Sequence, residues 1–171
     1  MAQYFNISGE LTQELLAAGN KVKVNKIYLT NTQKVAKCKV DLYIEKKLKG
    51  KFYLLKGVEL PIGATLVYDD IKFSNATDEY GLYIKLTDGA TFTLTGSIDV
   101  TGTNTAVPGT STLYTSELSV GDEIVVSGET RTISSITADT TAVVTAAWGS
   151  DLANDTSPDC NPTALVDVII N

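Results

Sequence analysis

Apolar and polar residues alternate with a period of two along most of this chain, the mark of strands that bury one face. The clearest stretch sets Ala36, Cys38, Val40, Leu42 and Ile44 against Lys37, Lys39, Asp41, Tyr43 and Glu45. Lys21-Val22-Lys23-Val24 starts the same way, but Ile27 and Leu29 then carry the apolar role at odd positions, so the phase slips at Asn25-Lys26 and predicts a β-bulge. Further strands are predicted at Lys51–Leu55, Leu66–Tyr68, Leu82–Leu86, Thr91–Leu94, Ile124–Val126, Arg131–Ile136, Ala142–Val144 and Leu165–Ile170. Leu60-Pro61-Ile62-Gly63 reads as a turn, and Asp88-Gly89 and Ser127-Gly128-Glu129 as hairpin connections. Many short strands with regular punctuation predict an all-β chain of antiparallel sandwiches or small barrels. Only Glu10–Gly19 competes, since it has good helix formers, Leu11 and Leu15 four apart, and glycine where a helix would stop.

The final run, Leu165-Val166-Asp167-Val168-Ile169-Ile170, is apolar on nearly both faces and belongs in the middle of a sheet. The threonine-rich, acidic stretch before it has a different character. Residues 1–90 hold thirteen lysines and no arginine against ten carboxylates, a net +3, whereas residues 91–162 hold only Arg131 against nine carboxylates, a net −8. This asymmetry predicts two units. Residues 1–90 with 163–171 form the first, and residues 91–162 are inserted between two neighbouring strands, Leu82–Leu86 and Leu165–Ile170.

Candidate chemistry narrows the picture by what is missing. The chain has no histidine, which removes the commonest general base and metal ligand. No Gly-x-Ser-x-Gly elbow, Cys–His pair or phosphate-cradling glycine loop is present, so no enzyme class and no cofactor are indicated. Asp69-Asp70 and Asp122-Glu123 are adjacent strand residues that point to opposite faces and make poor acid pairs. Asp151, Asn154, Asp155 and Asp159 offer hard oxygens for calcium but miss the EF-hand spacing, and a solvated acidic loop is the better reading. Cys38 and Cys160 read as unpaired thiols, Cys38 as a small buried hydrophobe in its alternating run. No apolar run suits a membrane span and no signal peptide is evident, so the chain reads as soluble and made in a cytoplasm.

Two features remain as candidate contact sites. Lys46, Lys47, Lys49 and Lys51 cluster beside Phe52 and Tyr53, which fits phosphate contacts with a stacking surface, but the simpler reading is a solvated hairpin turn whose lysines discourage edge pairing. Nucleic-acid binding is therefore not expected. Trp148 reads as core or as an exposed contact residue.

Asn20–Thr32 and Tyr53–Asp70 resemble a small β-sandwich module of virion structural proteins in tailed phages, particularly myophages, over about residues 1–90 plus the last strand. In that module the stretch before Gly19-Asn20 is extended, so the resemblance implies strand rather than helix there. Gly102–Tyr114, Leu118–Ile124 and Ile136–Thr141 resemble a small β-barrel module of phage tail and capsid accessory proteins. The resemblance implies a jelly-roll-like antiparallel β-sandwich with a small β-barrel inserted before the last strand. It implies a non-catalytic virion protein, made in the host bacterial cytoplasm, that decorates or cements the capsid or sits at the neck or tail. Its partners would be other virion proteins and further copies of itself, with no nucleic acid and no membrane. The rival reading is a receptor- or glycan-binding module of a phage fibre.

Overall fold

The computed structural model describes residues 2–46, 48–71, 73–74 and 79–171. The chain is almost entirely β, with antiparallel pairing throughout, and it divides into two compact units. The first comprises residues 1–33, 37–88 and 164–171, and the second residues 34–36 and 89–163. With these boundaries the first unit carries twelve lysines against eleven carboxylates and the second two cations against nine, net charges of +1 and −7.

The first unit contains β1 (Gln3–Ser8), β2 (Gln13–Leu16), β3 (Lys23–Val24), β4 (Ile27–Asn31), β5 (Cys38–Lys46), β6 (Gly50–Leu60), β7 (Thr65–Tyr68), β8 (Phe73–Ser74) and β9 (Gly81–Thr87). After the second unit the chain returns to it as the final strand, Leu165–Ile170. The competition over residues 10–19 is resolved as a short strand at Gln13–Leu16, where Leu15 and Leu16 are both buried and Glu14 pairs with Tyr83 across the sheet. Two four-stranded sheets result, β2-β9-β5-β6 and one in which the final strand lies between β1 and β4, with β7 beyond β4. Their inner faces contribute to a single core that includes Ile7, Leu29, Val40, Leu42, Leu82, Ile84, Val166 and Val168. Each such side chain contributes about 1.5–3 kcal/mol by leaving water.

Two details correct the sequence reading. The final strand is central, as its apolar faces require, but it pairs with β1 and β4 rather than with Leu82–Leu86, which lies in the other sheet between β2 and β5. Hydrophobicity reveals that a strand is buried, not which neighbours bury it. Asp88-Gly89 likewise is not a hairpin turn: β9 ends there and the chain passes into the second unit, while the Asp88 carboxylate accepts the backbone N–H of Ala164 at 2.7 Å. The phase slip at Asn25-Lys26 takes the form expected of a bulge, two successive N–H groups donating to the one carbonyl of Asn171 at 2.7 and 3.1 Å.

The second unit contains β10 (Phe92–Thr93), β11 (Ser97–Val100), β12 (Ala106–Thr110), α1 (Tyr114–Glu117), β13 (Glu123–Val126), β14 (Glu129–Ala138), β15 (Thr141–Val144), β16 (Leu152–Asp155) and β17 (Asp159–Asn161), which makes the final strand β18. Its eight strands run in the order β10-β17-β13-β14-β15-β12-β11-β16, and no pairing joins β10 to β16 among the described residues. Ser127 and Gly128, with φ of 47° and 88°, form the tight turn of the β13–β14 hairpin, the two positive values a primed turn needs. A separate core gathers Ile98, Val107, Tyr114, Ile124, Val126, Ile133, Trp148 and Cys160. Entry and exit strands are partners within this unit, since Phe92 faces Cys160 and Thr93 faces Asp159.

Candidate interaction surface

The lysine cluster closes the β5–β6 hairpin. Lys47 lies outside the described residues. Lys46 reaches Glu79 at 3.0 Å and sits 5.8 Å from the Tyr80 ring, Lys49 is exposed at the turn, and Lys51 lies 4.5 Å from the Tyr43 ring centroid and 3.9 Å from Glu45. Leu48, 97% exposed, projects from the tip. Strand register explains the arrangement: Tyr53, Tyr43, Tyr83 and Glu14 fall in one row across β6, β5, β9 and β2. Tyr43 stacks on Tyr83 at 5.7 Å and meets Tyr53 in a tilted contact at 5.5 Å, which buries Tyr43 although its parity is that of the outer face. Lys51 and Lys56 then cover the tyrosine faces, Lys56 at 4.8 Å from the Tyr53 ring. Its hydrogen bond to the Tyr43 hydroxyl, foremost, raises the pKa of Lys51 and keeps it cationic. Rings packed this closely and capped by ammonium groups leave little open face for a sugar to stack on.

Trp148 is 2% exposed and belongs to the core of the second unit, so its ring is not available to a partner. Arg131 lies 5.3 Å from it and is held by the Ala147 carbonyl and by Glu129, each at 2.8 Å. The loop carboxylates do not converge on a common centre. Asp151 accepts from the Gly102 N–H, Asp155 from the N–H groups of Ser127 and Ser157, and Asp159 from the Thr93 hydroxyl. No cluster with the makings of a metal site occurs among the described residues. Both thiols are buried, and desolvation pushes Cys38 up to about 11 and Cys160 higher still, the latter also through the nearby charge of Asp122. Neither is poised as a thiolate nucleophile.

One partly exposed apolar row was not legible in the sequence. On the outer face of the β1-β18-β4-β7 sheet, register places Tyr4, Ile169, Tyr28 and Val67 side by side, one from each strand. Tyr4 is 73% exposed and Val67 44%. The next row is polar and internally bonded: Asn6 donates to Asp167 at 2.6 Å, and the hydroxyls of Thr30 and Thr65 lie 2.9 Å apart. Each of the four apolar residues sits at an unremarkable alternating position, and only the pairing unites them.

No protein-family model, curated protein or solved structure matches this chain. Among the described residues no helix is long and apolar enough to cross a membrane.

Proposed function

We propose that this protein is a non-catalytic structural component of a tailed-phage virion, a decorating or cementing protein of the capsid or a part of the neck or tail, and that it works through protein–protein contacts. The observation that carries the contact role is the apolar row Tyr4–Ile169–Tyr28–Val67, which crosses every strand of one sheet and has water as its neighbour. Tyrosines of this kind, half apolar and half polar, suit a face that meets another protein. The same reading is supported by the loop carboxylates Asp151, Asp155 and Asp159, which act as acceptors for N–H and hydroxyl groups, and by the burial of both thiols. The assignment to a virion rests on the two sequence resemblances.

Mass spectrometry of purified particles tests the proposal. Stoichiometric copies of the chain in the virion are the expected result, and particles that lack it refute the reading. Replacing Tyr4 and Tyr28 with serine should reduce incorporation while the isolated protein keeps its fold, since both side chains lie outside the core.

A further inference from the structure

The strands at the ends of the sheets differ in how they meet solvent. β6 is interrupted by register shifts around Leu55–Val58 and carries Lys51 and Lys56, both devices that discourage a second strand from adding to an edge. β2 has a register shift and Glu14, and β7 spans only Thr65–Tyr68 before Asp69-Asp70. In the second unit β10 has two residues, while β16 ends in Asp155 and has Asn154 at a φ of 51°. Among these described strands β1 has no such protection: Gln3-Tyr4-Phe5-Asn6-Ile7-Ser8 has no charge, no proline and no bulge over six paired residues.

Which of its backbone groups face outward follows from the ladder. The Gly9 N–H donates to the Ala164 carbonyl at 2.9 Å, so in the antiparallel alternation residues 3, 5, 7 and 9 point their N–H and C=O groups at β18. The opposite phase of β18, where the Thr32 N–H meets Leu165 and Lys26 exchanges bonds with Asn171, agrees. Tyr4, Asn6 and Ser8 therefore turn their backbone groups away from the sheet.

We infer that β1 is the site at which a second copy of this chain adds, antiparallel, about a twofold axis through Asn6, joining the two sheets into one. A strand centred on Asn6 is self-complementary: Tyr4 meets Ser8 of the second copy, Asn6 meets its counterpart, and about six backbone hydrogen bonds form. No charge on β1 opposes its copy. Charge complementarity favours the same register, because it brings Glu10 of the second copy, whose carboxylate also accepts the N–H of its own Asp88 at 3.1 Å, opposite Ala2 and beside Gln3, which borders a cavity of about 390 Å³. Gln3, Lys21 and Lys23 line that cavity, and neither lysine has an ion pair among the described residues. The contact deepens the multi-copy assembly proposed above by naming its partner and its edge.

Sedimentation of the purified full chain tests this. A concentration-dependent dimer is expected, and Asn6→Pro should weaken it about thirtyfold by removing an outward N–H from each copy. Asn6→Ala, which also loses the bond to Asp167 but keeps the N–H, should leave the dimer intact. The register is tested by Asn6→Cys, which should crosslink to itself, since directly bonded positions lie about 5.5 Å apart and within disulfide reach. Tyr4→Cys should crosslink to Ser8→Cys and not to itself, and the buried native thiols do not compete. A monomer at every concentration, a dimer indifferent to Asn6→Pro, or Asn6→Cys crosslinking no faster than Tyr4→Cys alone overturns the inference. These are measurements on isolated protein, so their failure is separable from absence of the chain in particles.

Discussion

The two units use their carboxylates differently. In the first, Glu59, Glu79 and Glu45 face Lys37, Lys46 and Lys51 in ion pairs, while Asp41, Glu10 and Asp88 cap the N–H groups of Gly57, Asp88 and Ala164. In the second, where cations are scarce, carboxylates act as caps for loop backbone. Glu117 holds the Thr95 N–H and hydroxyl, Asp139 those of Thr115, Asp151 the Gly102 N–H, and Asp122, fully buried, the N–H groups of Ser119 and Thr163. A charge-assisted bond to a backbone N–H is worth more than an exposed ion pair. The acidic side chains of the second unit thus hold its loops in place, while several of them, Asp139 and Asp151 included, stay exposed at the surface.

The sharpest break of this comparison removes a strand. Truncation after Ala90, without Leu165–Ile170, takes the central strand from the β1-β18-β4-β7 sheet and leaves two new edges, so the first unit should fail to fold. Joining Asp88 to Ala164 by a short Asn-Gly-type turn, with the second unit deleted, should restore a folded sandwich, because the two residues are already hydrogen-bonded. Circular dichroism and thermal melting of the two proteins check this, and a truncation that melts as cooperatively as the joined chain would refute it. Trp148→Ala should cost the second unit about 4 kcal/mol through the cavity it leaves, with the first unit's hydrogen-exchange protection unchanged.

Asp122→Ala should cost the second unit about 3 kcal/mol, since it orphans two backbone donors. Chemical denaturation followed by the single tryptophan, which reports on this unit alone, measures the Asp122→Ala loss, and hydrogen exchange of the second unit's amides measures that of Trp148→Ala, which has no tryptophan left. The smallest effect is a pH dependence. The Gly149 N–H, then Ser150 and Arg131, hold the Glu129 carboxyl below its ordinary 4.5. A lowered folded-state value means that the stabilisation is present above about pH 4.5 and is lost as pH falls through the folded value. The second unit should therefore loosen on acidification below that range, and Glu129→Gln should flatten the profile. An unchanged pH profile in that variant would place the acid sensitivity elsewhere.

Alternation along the chain was enough to find the all-β class, the inner face of β5 and the bulge at Asn25-Lys26, because each is a local consequence of period two. Pairing is not local. The sequence shows that Leu165–Ile170 is apolar on nearly both faces, yet nothing in it distinguishes Leu82–Leu86 from Gln3–Ser8 and Ile27–Asn31 as neighbours. The same blindness hid the row Tyr4–Ile169–Tyr28–Val67, whose members come from four distant segments. It also made Tyr43 look exposed, although Tyr53 and Tyr83 bury it from either side. The lysine cluster was visible as a run of charge, but its engagement with Glu79, Glu45 and two tyrosine rings is a product of strand register.

The central position of the last strand sets an order of events at the ribosome. The β1-β18-β4-β7 sheet is begun by Gln3 and completed by Ile170, so it stays open while the 75 residues from Gly89 to Thr163 emerge in between. At about 5–20 residues per second that interval lasts several seconds, ample time for a domain with its own core to fold. The second unit is thus finished first, and β1 and β4 wait for a strand that has yet to be translated. During that wait the nascent chain exposes both flanks of the gap, and whatever protects them, a chaperone or the chain's own transient pairing, determines how much of the protein reaches its native state.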